Sequence, residues 1–241
     1  MKRIVASRPY LYLELLILTV GVPAALSTVI PIRYMLPMLW LITLYTHLIY
    51  RAVVDLPERI GWRWGAVRGR TLRTVLLRFA LCAAATSALV LLWKPHLFLS
   101  FACDRPAFWA LVMVAYPLLS VIPQEIIFRS FFFQRYARIF PTPLRMVLAS
   151  GLLFGAAHLI FQNWVAPLMC VVGGLIFAAT YQKTRSLALA CVEHALYGCM
   201  IFTVGLGTYF YHGAVYSKQP ERTAHACAYI GQAVKDWREG R

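Results

Sequence analysis

Long uncharged segments, separated by short basic ones, are the dominant pattern of this sequence. A helix that crosses a bilayer needs about 20 consecutive, mostly apolar residues, and several of the uncharged segments reach or approach that length. The pattern therefore predicts an all-α fold, a polytopic helical membrane protein with about seven transmembrane helices, six and eight being the alternatives. The uncharged segments are residues 15–32, 34–50, 79–93, 106–124, 146–182 and 186–192.

The predicted spans follow from the basic residues that interrupt the apolar segments. The segment after residue 105 is too long for one straight span and contains Pro117 and Pro123, which break the hydrogen-bond ladder of a helix. One kinked span or a hairpin that turns near Pro123 would fit. Charge favours the kinked span, because it keeps Arg135 and Arg138 on the side of the other basic segments. The predicted spans are about residues 11–31, 34–50, 79–93, 106–140, 146–163, 165–182 and 187–211.

Composition and charge agree with a membrane protein. The chain is 61% hydrophobic and 14% charged, against about 25% charged in ordinary soluble domains. Its net charge is +15, but the basic residues concentrate between apolar segments, mainly in 51–78 and 129–145. That is the positive-inside pattern, which indicates a lipid bilayer and not nucleic acid as the partner. We expect a multi-pass integral protein of a bacterial plasma (inner) membrane. The six cysteines form no C-x-x-C pair and are interpreted as core residues, not as disulfides.

Three polar sites interrupt the C-terminal apolar segments: Glu125 with Arg129, then His158, then Glu193 with His194. Counted to the nearest basic residue at the predicted cytoplasmic end, Glu125, His158 and His194 lie ten, thirteen and nine residues away. At 1.5 Å per helical residue these are depths of about 15, 20 and 14 Å, near the middle of an apolar core about 30 Å thick. The three groups are therefore predicted to meet at one depth.

These residue types allow three interpretations. The four-residue spacing of Glu125 and Arg129 places both on one helix face, where they can form a purely structural ion pair. A glutamate and a histidine that face one buried water can take its proton, and a second histidine can donate to the oxyanion formed when that water attacks a carbonyl. Two histidines and a glutamate can also bind zinc, although the H-E-x-x-H spacing of many zinc hydrolases is absent. The joint presence of His158 and His194 favours catalysis.

Three motifs in this region resemble those of a known family. They are QEIIFR (124–129), FGAAH (154–158) and YQKTRSLALACVEHALYG (181–198). In order and spacing they are similar to the E-E-x-x-x-R, F-x-x-x-H and third motifs of the CPBP family, the CAAX proteases and bacteriocin-processing enzymes. The resemblance implies a glutamate-type intramembrane endopeptidase that needs neither metal nor cofactor. It places the protease core at 106–211, after N-terminal membrane helices with a basic loop (1–105) and before a polar tail (212–241).

The resemblance also implies roles for single residues. By position, His158 is the partner in water activation and His194 the oxyanion donor, while Arg129 orients the carboxylate. Gln124 stands where the family has its first glutamate, so Glu125 is the only carboxylate left in the motif and is expected to act as the base.

The third motif departs from the family as well. Gly198 lies four residues after His194, where the family has Asn or Asp, and it has no side chain to donate. Glu193 is a supporting carboxylate, about 100° around the helix from His194. The leading hypothesis is hydrolysis of a peptide bond in a membrane-anchored or lipidated protein or peptide. The alternatives are a catalytically inactive peptide-binding or immunity protein of the same fold, and a zinc-dependent membrane hydrolase.

Overall fold

Helices make up the regular structure of the computed structural model, which describes residues 7–28, 32–53, 61–210 and 236. No β-strand occurs in this part of the chain. Its helices are α1 (Arg8–Leu16, a π-helical turn Ile17–Gly21 and Val22–Thr28), α2 (Met35–Val53), α3 (Gly69–Trp93), α4 (Ser100–Asp104), α5 (Pro106–Arg135), α6 (Pro143–Ala157), α7 (Val165–Thr184) and α8 (Leu187–Thr203). Short 3₁₀ turns lie at Trp64–Ala66, Pro95–Leu97, His158–Phe161 and Leu206–Tyr209.

The prediction of a polytopic helical membrane protein is confirmed. Among the described residues, α3, α5, α6 with its 3₁₀ extension, and α7 are long and apolar enough to cross a membrane. Most of α2 and the whole of α8 are shorter apolar helices. Together with α1, these helices coincide in sequence with the seven predicted spans. The predicted polar tail at 212–241 lies outside the described residues, apart from residue 236.

The start of α3 differs from the prediction. This helix begins at Gly69, ten residues before the predicted span, so the last part of the expected basic loop is helical. Arg70 and Arg73 are exposed there, while Val75 is only 2% exposed. The first turns of α3 are therefore amphipathic, and a search for uncharged runs does not detect them.

α5 is one continuous helix, so of the two arrangements considered the single span is right and the hairpin at Pro123 is wrong. Two π-helical turns, Pro117–Val121 and Ile126–Phe131, interrupt its α-helical hydrogen bonding. Such turns are frequent at functional sites. The second one begins directly after Glu125.

The chain divides into two compact units, of which the first comprises Met1–Leu72 and Leu118–His194. Within this unit α6 and α7 approach closely. A Cβ added to Gly151 or Gly155 would lie 2.9 Å from a backbone atom of α7, so only glycine permits this distance. Small residues four apart are the usual means of close helix packing in membranes.

The turn between α7 and α8 fixes the start of the helix that carries His194. Arg185 adopts a left-handed conformation with φ 51° and ends α7. Ser186 then caps α8, because its hydroxyl oxygen accepts a hydrogen bond from the Leu189 N–H at 3.1 Å. The same hydroxyl donates to the Trp62 carbonyl at 3.1 Å. The turn and residues 61–63 are therefore neighbours, and their predicted cytoplasmic location stays a prediction.

A second buried ion pair, not predicted from the sequence, also lies in this unit. Glu14 on α1 accepts hydrogen bonds from Arg135 at 2.8 and 3.2 Å. The hydroxyls of Tyr45 and Tyr136 donate to the same carboxylate at 2.8 and 3.3 Å. We call these four residues the Glu14 cluster. It ties α1 and α2 to the end of α5.

The second unit comprises Arg73–Pro117 and Ala195–Arg241. Phe101 and Phe202 form its core, and the Trp109 indole N–H donates to the Thr203 hydroxyl at 3.1 Å. Cys103 is disulfide-bonded, so the interpretation of the cysteines as core residues is wrong for this one. It lies in α4. The predicted division at residues 105 and 211 stays a prediction.

Candidate active site

Glu125 is the centre of the site and is fully buried. Its Oε1 atom accepts a hydrogen bond from Nδ1 of His194 at 2.9 Å. Its Oε2 atom lies 3.1 Å from Nε of Arg129, one turn further along α5. Both carboxylate oxygens therefore have a charged or polar partner, which compensates for burying the charge.

Arg129 is fully buried as well and is held from several directions. Its Nη1 donates to the Ser150 hydroxyl at 2.9 Å, and Ser150 in turn donates to the Phe128 carbonyl at 2.9 Å. The guanidinium also lies over two aromatic rings, 5.1 Å from the Phe154 centroid and 5.9 Å from that of Phe177. These contacts fix the guanidinium, and through it the rotamer of Glu125.

His194 is oriented by aromatic rings and by the carboxylate. Its imidazole stacks on Phe177 with centroids 4.8 Å apart and meets the edge of Phe154 at 5.5 Å. Because a carboxylate can only accept, Nδ1 is the nitrogen that carries the hydrogen toward Glu125. In the neutral ring the lone pair is then on Nε2, so His194 is set up to accept a proton at that atom.

His158 lies at the end of α6, where the 3₁₀ turn His158–Phe161 begins. Its Nδ1 is 2.7 Å from the Phe154 carbonyl oxygen, to which it donates. The lone pair of the neutral ring is again on Nε2. Phe154 contacts this ring at 4.7 Å as well as that of His194, and the two imidazoles interact electrostatically. His158 and His194 thus share Phe154 as a neighbour.

The structure thus brings Glu125, Arg129 and His194 into direct contact, with His158 beside them. Glu193 is fully buried, and its charge acts on Arg129. Gln124 is half-buried and donates from its amide to the Ser120 hydroxyl at 2.7 Å. The position at which the family has its first glutamate is therefore occupied here by a hydrogen-bonded amide.

Ser150 and Phe177 were not identified from the sequence. Ser150 precedes Phe154 and His158 by four and eight residues, so all three lie along one face of α6. The sequence shows that these three residues share a helix face, but it does not show that Arg129 packs against this face.

Gly198 stands where the family has Asn or Asp, and Tyr116 fills the space beside it. A Cβ at this position would overlap the hydroxyl and ring of Tyr116. Asn or Asp therefore cannot occupy position 198 unless Tyr116 moves.

A zinc site has no ligand set in the part of the chain that the structure describes. No group of three or more His, Cys, Asp or Glu side chains is arranged there to hold a metal ion. The Glu125 oxygens are directed to Arg129 and His194 instead.

Residues 106–200 match the sequence model of the family described as type II CAAX prenyl endopeptidase Rce1-like. No curated protein and no solved structure matches the chain. The family match confirms the resemblance to the CPBP and CAAX proteases, and it includes all the candidate site residues from Gln124 to His194.

Proposed function

We propose that this chain, an integral membrane protein whose residues 106–200 match the CAAX prenyl endopeptidase family, is an intramembrane endopeptidase. It hydrolyses a peptide bond in a membrane-anchored or lipidated protein or peptide. The observation that carries the proposal is the 2.9 Å hydrogen bond between Glu125 and His194. It joins a fully buried carboxylate to an imidazole whose second nitrogen is basic.

In this proposal Glu125 acts through His194. A water molecule attacks the substrate carbonyl carbon, and its proton moves to Nε2 of His194 as the new C–O bond forms. The resulting imidazolium is stabilised by the Glu125 carboxylate at Nδ1. The imidazolium then gives its proton to the leaving nitrogen as the C–N bond breaks. This assignment departs from the expected roles, in which Glu125 contacts the water and His194 donates to the oxyanion. It rests on the complete burial of Glu125 and on the hydrogen bond from His194 to its Oε1.

His158 and Arg129 support this pair. The Nε2 lone pair of His158 can accept the second hydrogen of the attacking water and so orient its oxygen toward the carbonyl. Arg129 keeps Glu125 ionised and in one rotamer, since an unpaired carboxylate at this depth would be expensive. Neither role requires a metal ion.

The experiment has two stages. First, the termini of membrane proteins are compared by mass spectrometry in cells with and without the gene, to find a substrate whose terminus changes. Second, the purified chain is reconstituted in nanodiscs with that substrate, and cleavage is followed for wild type, His194→Gln and His47→Ala. His47 is exposed on α2, so its replacement is the matched control.

We expect His194→Gln to reduce the cleavage rate about 10²- to 10⁴-fold, the usual contribution of a general acid–base group. His47→Ala should cleave as wild type does. A His194→Gln variant that folds and cleaves normally would refute the mechanism. Cleavage that is lost with a chelator and restored by zinc would favour the metal-dependent alternative.

A non-catalytic peptide-binding or immunity protein is the second candidate. It is favoured by Gln124 at the position of the family's first glutamate, and by the fact that both Glu125 oxygens have partners within the protein. The two candidates differ in their response to His194→Gln. A binding protein should keep its affinity for the peptide and show no turnover in either form.

A further inference from the structure

Residues 61–70, which we call the Trp–Arg segment, lead directly into α3. α3 is a candidate membrane span, so we expect the residues before it to lie near the membrane surface. Arg63, Arg68 and Arg70 are exposed, and so is Trp64 with 66% of its surface accessible. Six basic residues and no acidic residue occur in the sequence from position 59 to position 78.

The two tryptophans of the segment form a stacked pair. The Trp62 and Trp64 rings lie 6.0 Å apart and are nearly parallel, at 7°. Arg63 between them has a φ of 36°, a left-handed conformation that costs a residue with a side chain about 1–3 kcal/mol and persists only where surrounding contacts offset that cost. Tryptophan is enriched where a membrane meets water. The pair is thus a preformed aromatic platform flanked by arginines.

The backbone of this segment also holds the start of α8. The Gly61 carbonyl accepts a hydrogen bond from the Leu187 N–H at 2.9 Å. The Ser186 hydroxyl contacts the Trp62 and Arg63 carbonyls at 3.1 and 3.0 Å. The first turn of α8 is therefore fixed by the same residues that present the arginines and tryptophans.

This turn is close to the candidate active site along the same helix. His194 lies seven residues after Leu187, about 10 Å along the helix axis. A shift of the first turn would move His194 relative to Glu125, whose 2.9 Å hydrogen bond has little tolerance.

We propose that the Trp–Arg segment binds the headgroups of anionic phospholipids, and that this contact stabilises the start of α8 and thereby the position of His194. Clusters of basic residues next to a membrane span attract anionic lipid, each contributing appreciably near the surface. The arginines contact the phosphates while the tryptophan rings lie at the headgroup level. The proposed lipid binding does not depend on the proposed function, whereas the proposed effect on His194 rests on it.

The test uses the full chain in nanodiscs of phosphatidylcholine, with and without phosphatidylglycerol. Hydrogen–deuterium exchange of the amides of Leu187 and Leu189 reports on the start of α8 without any cleavage assay. We expect phosphatidylglycerol to slow this exchange in the wild type. It should have no such effect in a triple variant, Arg63→Gln, Arg68→Gln and Arg70→Gln, whose apparent affinity for phosphatidylglycerol should fall at least about tenfold.

The matched control removes the same charge elsewhere among exposed basic residues: Arg138→Gln, Arg145→Gln and Lys183→Gln. This control should respond to phosphatidylglycerol as the wild type does. Equal exchange of the wild type in both lipid compositions would overturn the proposal, and so would a control triple variant that loses the response as fully as the Arg63 triple variant does. Slower exchange without any effect of lipid on cleavage would keep the lipid site and reject only its link to catalysis.

Discussion

Two buried carboxylate–guanidinium pairs lie in the same compact unit and differ in almost everything else. Glu125 and Arg129 are one helical turn apart on α5, with Oε2 and Nε 3.1 Å from each other. Glu14 and Arg135 are 121 residues apart and join two helices at 2.8 Å. Both carboxylates are buried, Glu125 fully and Glu14 with 6% of its surface exposed. Burial of an ion pair therefore does not by itself indicate a site of chemistry.

The remaining partners of each carboxylate make the difference. Glu125 contacts an imidazole, which can carry a hydrogen on one ring nitrogen and accept one on the other. Glu14 contacts a guanidinium and two phenols, and burial together with the nearby charge of Glu14 raises the pKa of Tyr136 above its ordinary value. The tyrosine therefore stays protonated and only donates. The Glu14 cluster is an anchor between helices, whereas the Glu125 pair holds a group that can transfer a proton.

The largest expected effect separates the two pairs directly. Glu125→Gln removes the carboxylate that stabilises the imidazolium, so the cleavage rate should fall about 10²- to 10⁴-fold. Glu14→Gln makes the same chemical change in the anchor and should leave the rate per folded molecule unchanged. Cleavage in nanodiscs, normalised to the folded fraction, measures both.

The same two variants should be similar in stability. Each leaves a buried guanidinium without its carboxylate, which costs about 3–5 kcal/mol in buried pairs of soluble proteins, so both should melt at lower temperature than the wild type. A Glu14→Gln variant that melts normally but does not cleave would reverse our assignment of the anchor.

A smaller effect is expected from Ser150, which holds the guanidinium of Arg129. Ser150→Ala removes the nearer of two acceptors for Nη1 of Arg129 and should destabilise the protein by about 1–3 kcal/mol. It should also reduce cleavage about tenfold, because Glu125 and His194 lose their alignment. The chemical shift of His194 Nδ1 in nitrogen NMR should change, which a purely structural role far from the site would not cause.

Ser130→Ala is the control for this prediction. Ser130 is buried next to Arg129, and its hydroxyl has no hydrogen-bond partner among the described residues. Its removal should leave both stability and the His194 signal unchanged. Ser150→Thr keeps the hydroxyl and should restore the signal if the pocket accepts the extra methyl group. An unchanged signal in Ser150→Ala would show that Arg129 does not depend on this serine.

The contrast between the pairs also shows what a sequence can predict. The Glu125–Arg129 pair is local, because a spacing of four residues brings two side chains together on any helix. Its depth could be estimated too, and the direct contact with His194 agrees with the estimates of about 15 and 14 Å. The helical membrane fold followed from the uncharged segments for the same reason, since each span is a local property.

Long-range contacts could not be predicted from the sequence. Glu14 lies at the edge of the first uncharged segment and has the appearance of a flanking surface charge, while its partner Arg135 served only as a basic marker. Ser150 has the appearance of a small residue suited to helix packing. Tyr116 gives no sign in the sequence that it fills the space beside Gly198. In each case the information is in the tertiary packing.

The smallest effect is expected at Gln124, and it tests whether the carboxylate function belongs to Glu125 alone. Gln124→Glu restores the family's first glutamate. The Ser120 hydroxyl, which now lies 2.7 Å from the Gln124 amide, can donate to the new carboxylate, and the side chain is only half-buried. We therefore expect a change in stability within about 1 kcal/mol and a cleavage rate equal to or above that of the wild type.

The decisive measurement is the cleavage rate of the double variant Gln124→Glu, Glu125→Gln. If Glu125 acts through His194, this variant stays as slow as Glu125→Gln, because the new carboxylate lies about 100° around the helix. Full recovery of cleavage would mean that position 124 faces the water, and that the protein has lost its primary base and works through a substitute.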